Sequence, residues 1–367
     1  MIEVADIFRQ HAATYRTHHA LSAPQLRAMR DIEYCRTAFF GGHVAQCDHC
    51  GSVRYAYHSC RNRHCPKCHG EQSAAWLEKQ QSRLLPCPHY FLTFTLPAAL
   101  RPLAHWQPKM VYGLLLRCAS AAIQKLAGDP KYLGATPAIL AVLHTWTRAL
   151  LYHPHVHLLV SAGGLAPHGQ HWLSPKNPAF LVPVRALSVI FRAKLRDALG
   201  RKGLLAQTPA EIWQQPWVVH SQPAGAGEKV LGYLARYAFR VAIANSRLES
   251  FHDGQVTFRY RDNRTQQLQR VTVSAEEFIG RFLQHILPAG FPKVRYYGLA
   301  SASRQEDRER ARALIKPSAV AVNTNDAPAD LPSPVAQAVL PLPLCPQCRM
   351  GHLIVIQTLR PQRKFPP

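Results

Sequence analysis

The sequence predicts an α+β fold in which a small, helical, cysteine-rich module precedes a larger domain of strands and helices. Apolar residues near the N-terminus recur at helical spacing, cysteines and histidines concentrate between positions 35 and 70, and strand-like alternation appears only after that stretch. The 367 residues are enough for two or three domains. We expect an N-terminal zinc-binding part, a main domain, a flexible linker and a short tail, over 1–86, 87–315, 316–344 and 345–367 respectively.

The charge of the chain is its most unusual bulk property. Lys and Arg number 44 against 21 Asp and Glu, which gives a net charge of +23. Such a surplus indicates a polyanionic partner, most simply nucleic acid, although a basic surface can also serve solubility alone. The sequence shows neither a signal-peptide core nor a membrane-spanning run, which predicts a cytoplasmic protein. In that reducing compartment we expect the ten cysteines to bind metal.

Two helices are predicted to open the chain. Apolar residues over 4–11 share one helical face, and Ser22 with Gln25 forms the capping box of a second helix that ends near position 34. A third helix over 71–85 follows the cysteine-rich stretch. The N-terminal part is therefore helical on both sides of its cysteines.

The main domain alternates between strand-like and helical segments. Alternating side chains predict two strands, over 89–96 and 155–161. Asp262 and Asn263 indicate the turn of a hairpin between 256–260 and 268–273. Helical spacing predicts helices over 98–126 and 228–243, and a last one that starts at the capping box of Ser274 and Glu277 and carries Phe278, Phe282 and Ile286.

Two CxxC pairs predict a structural zinc site. Each pair offers two thiolates from a tight turn, and four thiolates complete a tetrahedral zinc, so we expect one ion held by Cys47, Cys50, Cys65 and Cys68. Unligated core cysteines are the alternative. The same stretch holds candidates for a second zinc site, namely Cys35, Cys60 and His64. Basic residues among the ligands are expected to contact DNA phosphates, namely Arg61, Arg63 and Lys67.

The tail contains half of a further zinc motif. Cys345 and Cys348 are spaced as one CxxC pair, and two ligands cannot close a site alone. Two interpretations stay open: His352 is a third ligand, or the tail is a remnant that binds no metal.

The sharpest motif in the chain is HPHVH, at positions 153–157. His155 and His157 alternate along a predicted strand, so both imidazoles point to one face, while Val156 and Leu158 point to the other. Two imidazoles beside an apolar strand suit a divalent cation with open positions for phosphate oxygens. Two ordinary histidines beside a strand are the alternative.

A pair of tyrosines lies in the helical stretch that starts at position 228. Tyr233 and Tyr237 are four residues apart, so both hydroxyls can reach one site, with Arg236 and Arg240 near enough to bind phosphate. Two tyrosines on a helix usually serve packing. A catalytic role for this pair is indicated only in combination with the histidine strand and the basic charge.

The order of these motifs resembles that of the HUH endonucleases, which include rolling-circle replication initiators, relaxases and single-strand transposases. The three matching segments are LTFTLP, HPHVH and YLARY, at 92–97, 153–157 and 233–237. Further segments narrow the resemblance to the two-tyrosine rolling-circle insertion-sequence transposases of the IS91 type, namely SCRNRHCPKC, LHTW and YYGL, at 59–68, 143–146 and 296–299. The resemblance covers residues 5–315.

This resemblance implies an HUH-type catalytic domain with a central antiparallel sheet and flanking helices, behind an N-terminal zinc-binding domain. It implies Tyr233 and Tyr237 as nucleophiles and His155 and His157 as ligands of a catalytic Mg²⁺ or Mn²⁺. The implied activity is nicking and rejoining of single-stranded DNA at insertion-sequence ends through a covalent 5′-phosphotyrosine, in rolling-circle-like transposition. The implied setting is the bacterial cytoplasm, in association with the nucleoid.

Two matters stay open from the sequence. The sequence does not place the third ligand of the catalytic cation, for which His153 and His144 are candidates. The function could instead be that of a plasmid replication initiator or relaxase with the same site, or of a non-catalytic zinc protein that binds DNA and regulates expression. The zinc module and the LHTW and YYGL segments favour the transposase.

Overall fold

A computed structural model describes residues 2–68, 70–239, 242–262, 265–315 and 343–362, without the side chains of Arg236, Tyr237 and Phe239. The helices in chain order are α1 (Val4–His18), α2 (Ala23–Glu33), α3 (Gly70–Gln81), α4 (Arg101–Trp106), α5 (Pro108–Ala127), α6 (Val184–Gly200), α7 (Glu228–Phe239), α8 (Ala275–Leu283) and α9 (Gln305–Leu314). Among these ranges, no helix is both long and apolar enough to cross a membrane.

The strands lie between these helices and at the C-terminal end. In chain order they are β1 (Gly42–Cys47), β2 (Val53–Tyr57), β3 (His89–Thr95), β4 (Ala138–Trp146), β5 (Tyr152–Ser161), β6 (Gly164–Leu165), β7 (Trp172–Leu173), β8 (Val219–Pro223), β9 (Leu248–His252), β10 (Gln255–Arg261), β11 (Leu268–Ser274), β12 (Val294–Gly298) and β13 (Leu353–Leu359).

A five-stranded antiparallel sheet forms the centre of the main domain. Its strand order is β12-β4-β5-β3-β8, so β5 lies in the middle. One face carries the largest apolar core and packs against α5 and α6. The other face carries a smaller apolar cluster beneath α7, and α3 packs against α7. The predicted α+β class with a central antiparallel sheet is confirmed.

The sequence patterns do not predict β4, although it is one of the longest strands. Its residues are buried almost throughout, so no polar alternation marks it. A continuous apolar run fits a buried strand and a buried helix equally well. The edge strands β8 and β12 are not predicted either.

The predicted helix over 98–126 is interrupted. Gln107 separates α4 from α5, and it has φ −120° and ψ 55° rather than helical values. The ring of Pro108 disfavours the helical region for the residue before it, whereas proline itself fits the first turn of a helix. Two helices therefore replace one.

The structure confirms two predicted helix N-termini and a predicted hairpin. Ser22 and Gln25 form the capping box of α2, and Ser274 accepts a hydrogen bond from the backbone N–H of Glu277 at the start of α8. Strands β10 and β11 form the predicted hairpin, whose Asn263 lies outside the described residues. The predicted helix over 228–243 is described as far as Phe239.

The N-terminal helices share their core with a distant part of the chain. Helices α1 and α2 pack with α8 and with a small antiparallel sheet of order β11-β10-β9. Phe8 of α1 meets Phe282 of α8 edge to face, with ring centres 5.5 Å apart. This core also buries Cys35, Cys65 and Cys68. The cysteine-rich stretch is thus anchored by residues more than 200 positions further along the chain.

The C-terminal tail joins the cysteine-rich module as well. Strand β13 pairs antiparallel with β1, which completes a three-stranded sheet of order β13-β1-β2. The predicted linker over 316–344 lies outside the described residues except for its last two positions. The described end of the chain is therefore part of the N-terminal sheet.

Candidate active site and metal centres

The two predicted histidines lie side by side on the central strand of the main sheet. His155 and His157 alternate along β5 with Val156 and Leu158, so the two pairs point to opposite faces. Val156 and Leu158 are fully buried in the core beneath α5 and α6. Both imidazoles therefore lie on the face covered by α7, as the alternation predicts.

A third histidine joins them from the neighbouring strand. His144 lies on β4 directly opposite His155, and one ring nitrogen from each of His144, His155 and His157 lies within 4.8 Å of the other two. His153, the other candidate, accepts a hydrogen bond at Nδ1 from Arg101 at 2.8 Å and is not in this group. The cross-strand register therefore brings His144, and not His153, to the other two histidines.

Hydrogen bonds at Nδ1 orient two of the three rings. The Nδ1 of His155 lies 2.6 Å from the carbonyl oxygen of His153, and because a carbonyl can only accept, the neutral ring carries its lone pair on Nε2. The Nδ1 of His157 lies 3.0 Å from Oγ1 of Thr93 on β3. The two Nε2 atoms are 3.2 Å apart, an arrangement that suits a cation between them.

Burial keeps all three imidazoles neutral at ordinary pH. Loss of hydration lowers the pKa of His155 to about 4. It also lowers the pKa of His144 and of His157 well below the usual range, and the neighbouring imidazoles add to this effect. Neutral imidazole is the form that binds a metal, so the group needs to lose no proton first.

Helix α7 places Tyr233 beside this histidine group. The centre of its ring lies 5.9 Å from that of His157 and 6.5 Å from that of His144. Leu231 and Leu234 are fully buried between α7 and the sheet, which fixes the side of the helix that faces the strands. The half-buried tyrosine therefore lies at the edge of the histidine group.

Helix α7 is held by α3. The hydroxyl of Ser73 on α3 donates a hydrogen bond to the carbonyl oxygen of Ala235 at 3.2 Å, and Trp76 and Leu77 pack on the same apolar cluster. The described side chains do not include Tyr237, the predicted second nucleophile. They also do not include Arg236 and Arg240, which were predicted to bind phosphate.

Three further residues support the histidine group and are not predicted from the sequence as members of the site. Trp146 stacks on His144 with ring centres 4.9 Å apart, and Nζ of Lys293 lies 4.7 Å from the centre of the Trp146 ring. Burial lowers the pKa of Lys293 well below its usual range. Trp146 and Thr93 belong to the LHTW and LTFTLP segments, whereas no sequence signal marks Lys293.

The cysteines group differently from the sequence prediction. The structure does not bring the two central CxxC pairs to one ion, so the single site expected from Cys47, Cys50, Cys65 and Cys68 is corrected. Two groups of four thiols form instead. One consists of Cys35, Cys60, Cys65 and Cys68, and the other of Cys47, Cys50, Cys345 and Cys348.

The β1–β2 hairpin explains this separation. The hairpin closes at its base where His58 donates its N–H to the carbonyl oxygen of Gly41, with Cys35 and Cys60 just outside that base. Strand β1 then extends over six residues to Cys47, which is about 17 Å at the usual rise of a strand. The first CxxC pair therefore lies at the tip of the hairpin, far from the second.

The cysteine group at the base has the spacing of a zinc site. The Sγ of Cys68 lies 3.6 Å from Sγ of Cys35 and from Sγ of Cys60. Zn–S bonds of about 2.3 Å in a tetrahedron put the sulfurs roughly 3.8 Å apart, whereas a disulfide needs about 2.0 Å. His64 is not a member, because its Nε2 accepts a hydrogen bond from the N–H of Leu287 at 3.1 Å.

The predicted phosphate-binding residues of the module have different surroundings. Arg61 is exposed. Arg63 donates a hydrogen bond to the carbonyl oxygen of Phe291 at 2.8 Å, and burial lowers its pKa. Lys67 forms an ion pair with Glu3 at 2.7 Å. Of these three side chains, only that of Arg61 is largely exposed to solvent.

Two family models match the regions that carry these features. Residues 7–96 match the family described as "Transposase zinc-binding domain", and residues 138–308 match the family described as "Putative transposase". The first includes the base cysteine group, and the second includes the three histidines and α7. No solved structure matches the chain significantly.

Curated relatives agree with these matches. The chain is 41% identical over 378 residues to "Putative transposase y4qJ" of Sinorhizobium fredii (strain NBRC 101917 / NGR234), an alignment that covers 97% of this chain and 95% of that protein. It is 33% identical over 299 residues to "Transposase for insertion sequence element IS801" of Pseudomonas savastanoi pv. phaseolicola, which covers 74% and 70%. The chain therefore belongs to the IS91-type transposases with an N-terminal zinc-binding domain, and it is a DNA transposase that carries structural zinc.

Proposed function

We propose that this transposase nicks and rejoins single-stranded DNA at the ends of an insertion sequence through a covalent 5′-phosphotyrosine, in a rolling-circle-like transposition that depends on a divalent cation. The observation that carries this proposal is the position of Tyr233, whose ring lies 5.9 Å from that of His157 at the edge of the three-histidine group. A nucleophile and a cation site that adjoin in this way can act on one phosphate.

The residues take distinct roles in the proposed reaction. The hydroxyl oxygen of Tyr233 attacks the phosphorus, the bond from phosphorus to the 3′ oxygen breaks, and that oxygen leaves as a 3′-hydroxyl after taking up a proton. The 5′ phosphate stays on the tyrosine. A later attack by a 3′-hydroxyl on this phosphotyrosine forms a new phosphodiester and releases the phenol. Tyr237 would then serve a second strand, one helical turn away.

The histidine group is proposed to bind the cation that this reaction needs. His144, His155 and His157 would supply three nitrogen ligands and leave the remaining positions to phosphate oxygens and water. A cation bound there would polarise the scissile phosphate. Because all three ligands are imidazoles, and Mg²⁺ prefers oxygen ligands, we expect Mn²⁺ to act at lower concentrations than Mg²⁺.

Structural zinc has a separate role in this proposal. The base cysteine group is buried in the core that joins α1 and α2 to α8, and a four-thiolate zinc has no open position for a substrate. We assign this zinc to folding of the module. The exposed Arg61 beside it and the net charge of +23 support contacts to the DNA backbone.

Labelled oligonucleotides test in one experiment which fragment of the nicked DNA becomes attached to the protein and which tyrosines the attachment requires. A single-stranded oligonucleotide that spans the nick site is labelled at its 5′ end in one sample and at its 3′ end in another, then incubated with protein and Mn²⁺. We expect only the 3′ label to migrate with the protein on a denaturing gel, because the downstream fragment keeps the phosphate on tyrosine. The double variant Tyr233→Phe, Tyr237→Phe should give no adduct, whereas the control Tyr132→Phe should behave as the wild type.

Two results would contradict the proposal. Retention of the 5′ label would show the opposite polarity of attachment. An adduct that persists in the double variant, or that peptide mapping places on Tyr296 or Tyr297, would mean that another residue is the nucleophile.

A further inference from the structure

The last described segment of the chain forms a turn that faces the tip of the β1–β2 hairpin. The carbonyl oxygen of Cys345 accepts a hydrogen bond from the N–H of Arg349, and the N–H of Cys345 donates to the carbonyl oxygen of Gly351. Strand β13 then runs back along β1, from Leu353 opposite Cys47 onward. The turn at 345–348 thus meets the turn at 47–50.

The four thiols of these two turns have the arrangement of a tetrahedral site. Sγ of Cys47 lies 3.7 Å from Sγ of Cys348, and Sγ of Cys50 lies 3.7 Å from Sγ of Cys345. All four lie within 4.8 Å of one another. These distances agree with the roughly 3.8 Å expected around zinc and exclude a disulfide.

Backbone N–H groups point at sulfur in both turns. The N–H groups of His49 and Cys50 donate to Sγ of Cys47, and the N–H of Gly351 donates to Sγ of Cys348 at 3.4 Å. Such bonds stabilise a thiolate, which is the form that binds zinc. The two turns are therefore equivalent halves of one site.

Direct bonds hold the two halves in register. Oδ1 of Asp48 accepts a hydrogen bond from the N–H of His352 at 2.7 Å, and the N–H of Asp48 donates to the carbonyl oxygen of His352. His352, which the sequence left open as a third ligand, is not in the thiol group. A side chain at Gly351 would put its Cβ 2.6 Å from Sγ of Cys47, so this close approach requires glycine.

The sheet around this site has little apolar core of its own. Every residue of β2 is exposed, and so are the side chains of Ile354, Val355 and Ile356 in β13. Three short strands with so little burial are not expected to be stable in water without an added constraint. A closed metal site supplies that constraint, because the free energy of binding the metal becomes free energy of folding.

We propose that Cys47, Cys50, Cys345 and Cys348 bind a second zinc ion, which fastens the C-terminal strand β13 to the N-terminal sheet. Two of its ligands lie beyond residue 308, outside both family-matched regions. The chain accordingly binds two zinc ions, one at the base of the hairpin and one at its tip. Of the two proposed sites, only the second joins cysteines of the N-terminal sheet to cysteines that follow residue 344.

Metal analysis of the full-length protein tests the second site. We expect two zinc ions per chain in the wild type and one in the double variant Cys345→Ala, Cys348→Ala. The matched control is Cys87→Ala, Cys118→Ala, which removes two cysteines outside both groups and should keep two ions. One zinc in the wild type, or two in the tail variant, would overturn the proposal.

Amide hydrogen exchange distinguishes loss of the second zinc site from other causes of a lower zinc content, because it shows which strands and helices lose protection. In the tail variant, amides of β13 and β1 should exchange faster, while amides of α1 and α8 should keep the protection that they have in the wild type. Unchanged protection of β13 would show that zinc does not fasten the strand. Loss of protection throughout α1 and α8 would show that the tail cysteines stabilise the whole fold and not only the attachment of β13. That result would also overturn the proposal.

Discussion

His144 on β4 lies directly opposite His155 on β5, and this cross-strand pair completes the group of three imidazoles. We expect His144→Ala to abolish nicking as fully as His157→Ala, by about 100-fold or more, because each removes one of the three proposed cation ligands. His153→Ala is the control, since His153 is bonded to Arg101 outside the group. The effect is measured as the rate of nicking with Mn²⁺. Full activity of the His144→Ala variant would show that His144 is not a ligand of the cation.

The bond between Thr93 and His157 should tune cation affinity. Thr93→Val removes the hydroxyl that lies 3.0 Å from Nδ1 of His157, and the loss of such an orienting partner typically weakens metal binding 10- to 100-fold. We expect the Mn²⁺ concentration for half-maximal nicking to rise by about that factor, with activity recovered at high Mn²⁺. Thr257→Val, on the distant hairpin, should leave the titration unchanged.

The two tyrosines should differ in their single variants. Because the Tyr233 ring lies beside the histidine group, Tyr233→Phe should lose the first nick, whereas Tyr237→Phe should still nick once and fail to complete strand transfer. Removing only a hydroxyl leaves helix propensity nearly unchanged, so both variants should remain folded and zinc-loaded. Strand transfer that proceeds at the wild-type rate in Tyr237→Phe would reduce the mechanism to one tyrosine.

Buried His285 should make the protein less stable in acid. Burial lowers the pKa of His285 to about 3, against about 6.5 in an unfolded chain. The unfolded state therefore binds the proton more readily, and stability is lost as the pH falls from about 6.5 towards 3. Between pH 7 and pH 5 this group accounts for about 2 kcal/mol of lost unfolding free energy.

Urea unfolding at the two pH values measures this contribution. His285→Gln should show a smaller loss on acidification than the wild type, although it is less stable at pH 7 because it disturbs the bonds to Thr145 and Leu150. The exposed control His18→Gln should lose as much as the wild type. Equal losses in all three proteins would show that His285 does not carry the effect.

A glycine-to-alanine change should distinguish the two proposed zinc sites, because it should weaken only the site at the hairpin tip. In Gly351→Ala the new Cβ would meet Oδ1 of Asp48 at 2.4 Å and Sγ of Cys47 at 2.6 Å, so the two turns must move apart. We expect one of two ions to be released to a chelator markedly faster than in the wild type. Gly70→Ala, which meets nothing within 4 Å, is the control. Identical release from both variants would contradict a site at the hairpin tip.

Local patterns in the sequence determined much of this protein. Several features depend on neighbours within a few residues. They are the capping box at Ser22, the N-cap at Ser274, the β10–β11 hairpin and the alternation that puts His155 and His157 on one face. Such features need no knowledge of the rest of the chain. The order of the three motifs resembles that of the HUH endonucleases, and further segments such as LHTW and YYGL narrow the resemblance to the IS91-type transposases, the family that the comparisons show.

Only the tertiary structure decided which distant residues meet. The sequence could not choose between His144 and His153, because that choice depends on the register of β4 against β5. It paired Cys47 and Cys50 with the nearest CxxC in the chain, whereas the hairpin carries them about 17 Å away, to the tail. Ligand spacing along a chain limits which thiols can share an ion, but the folded backbone determines which of them do.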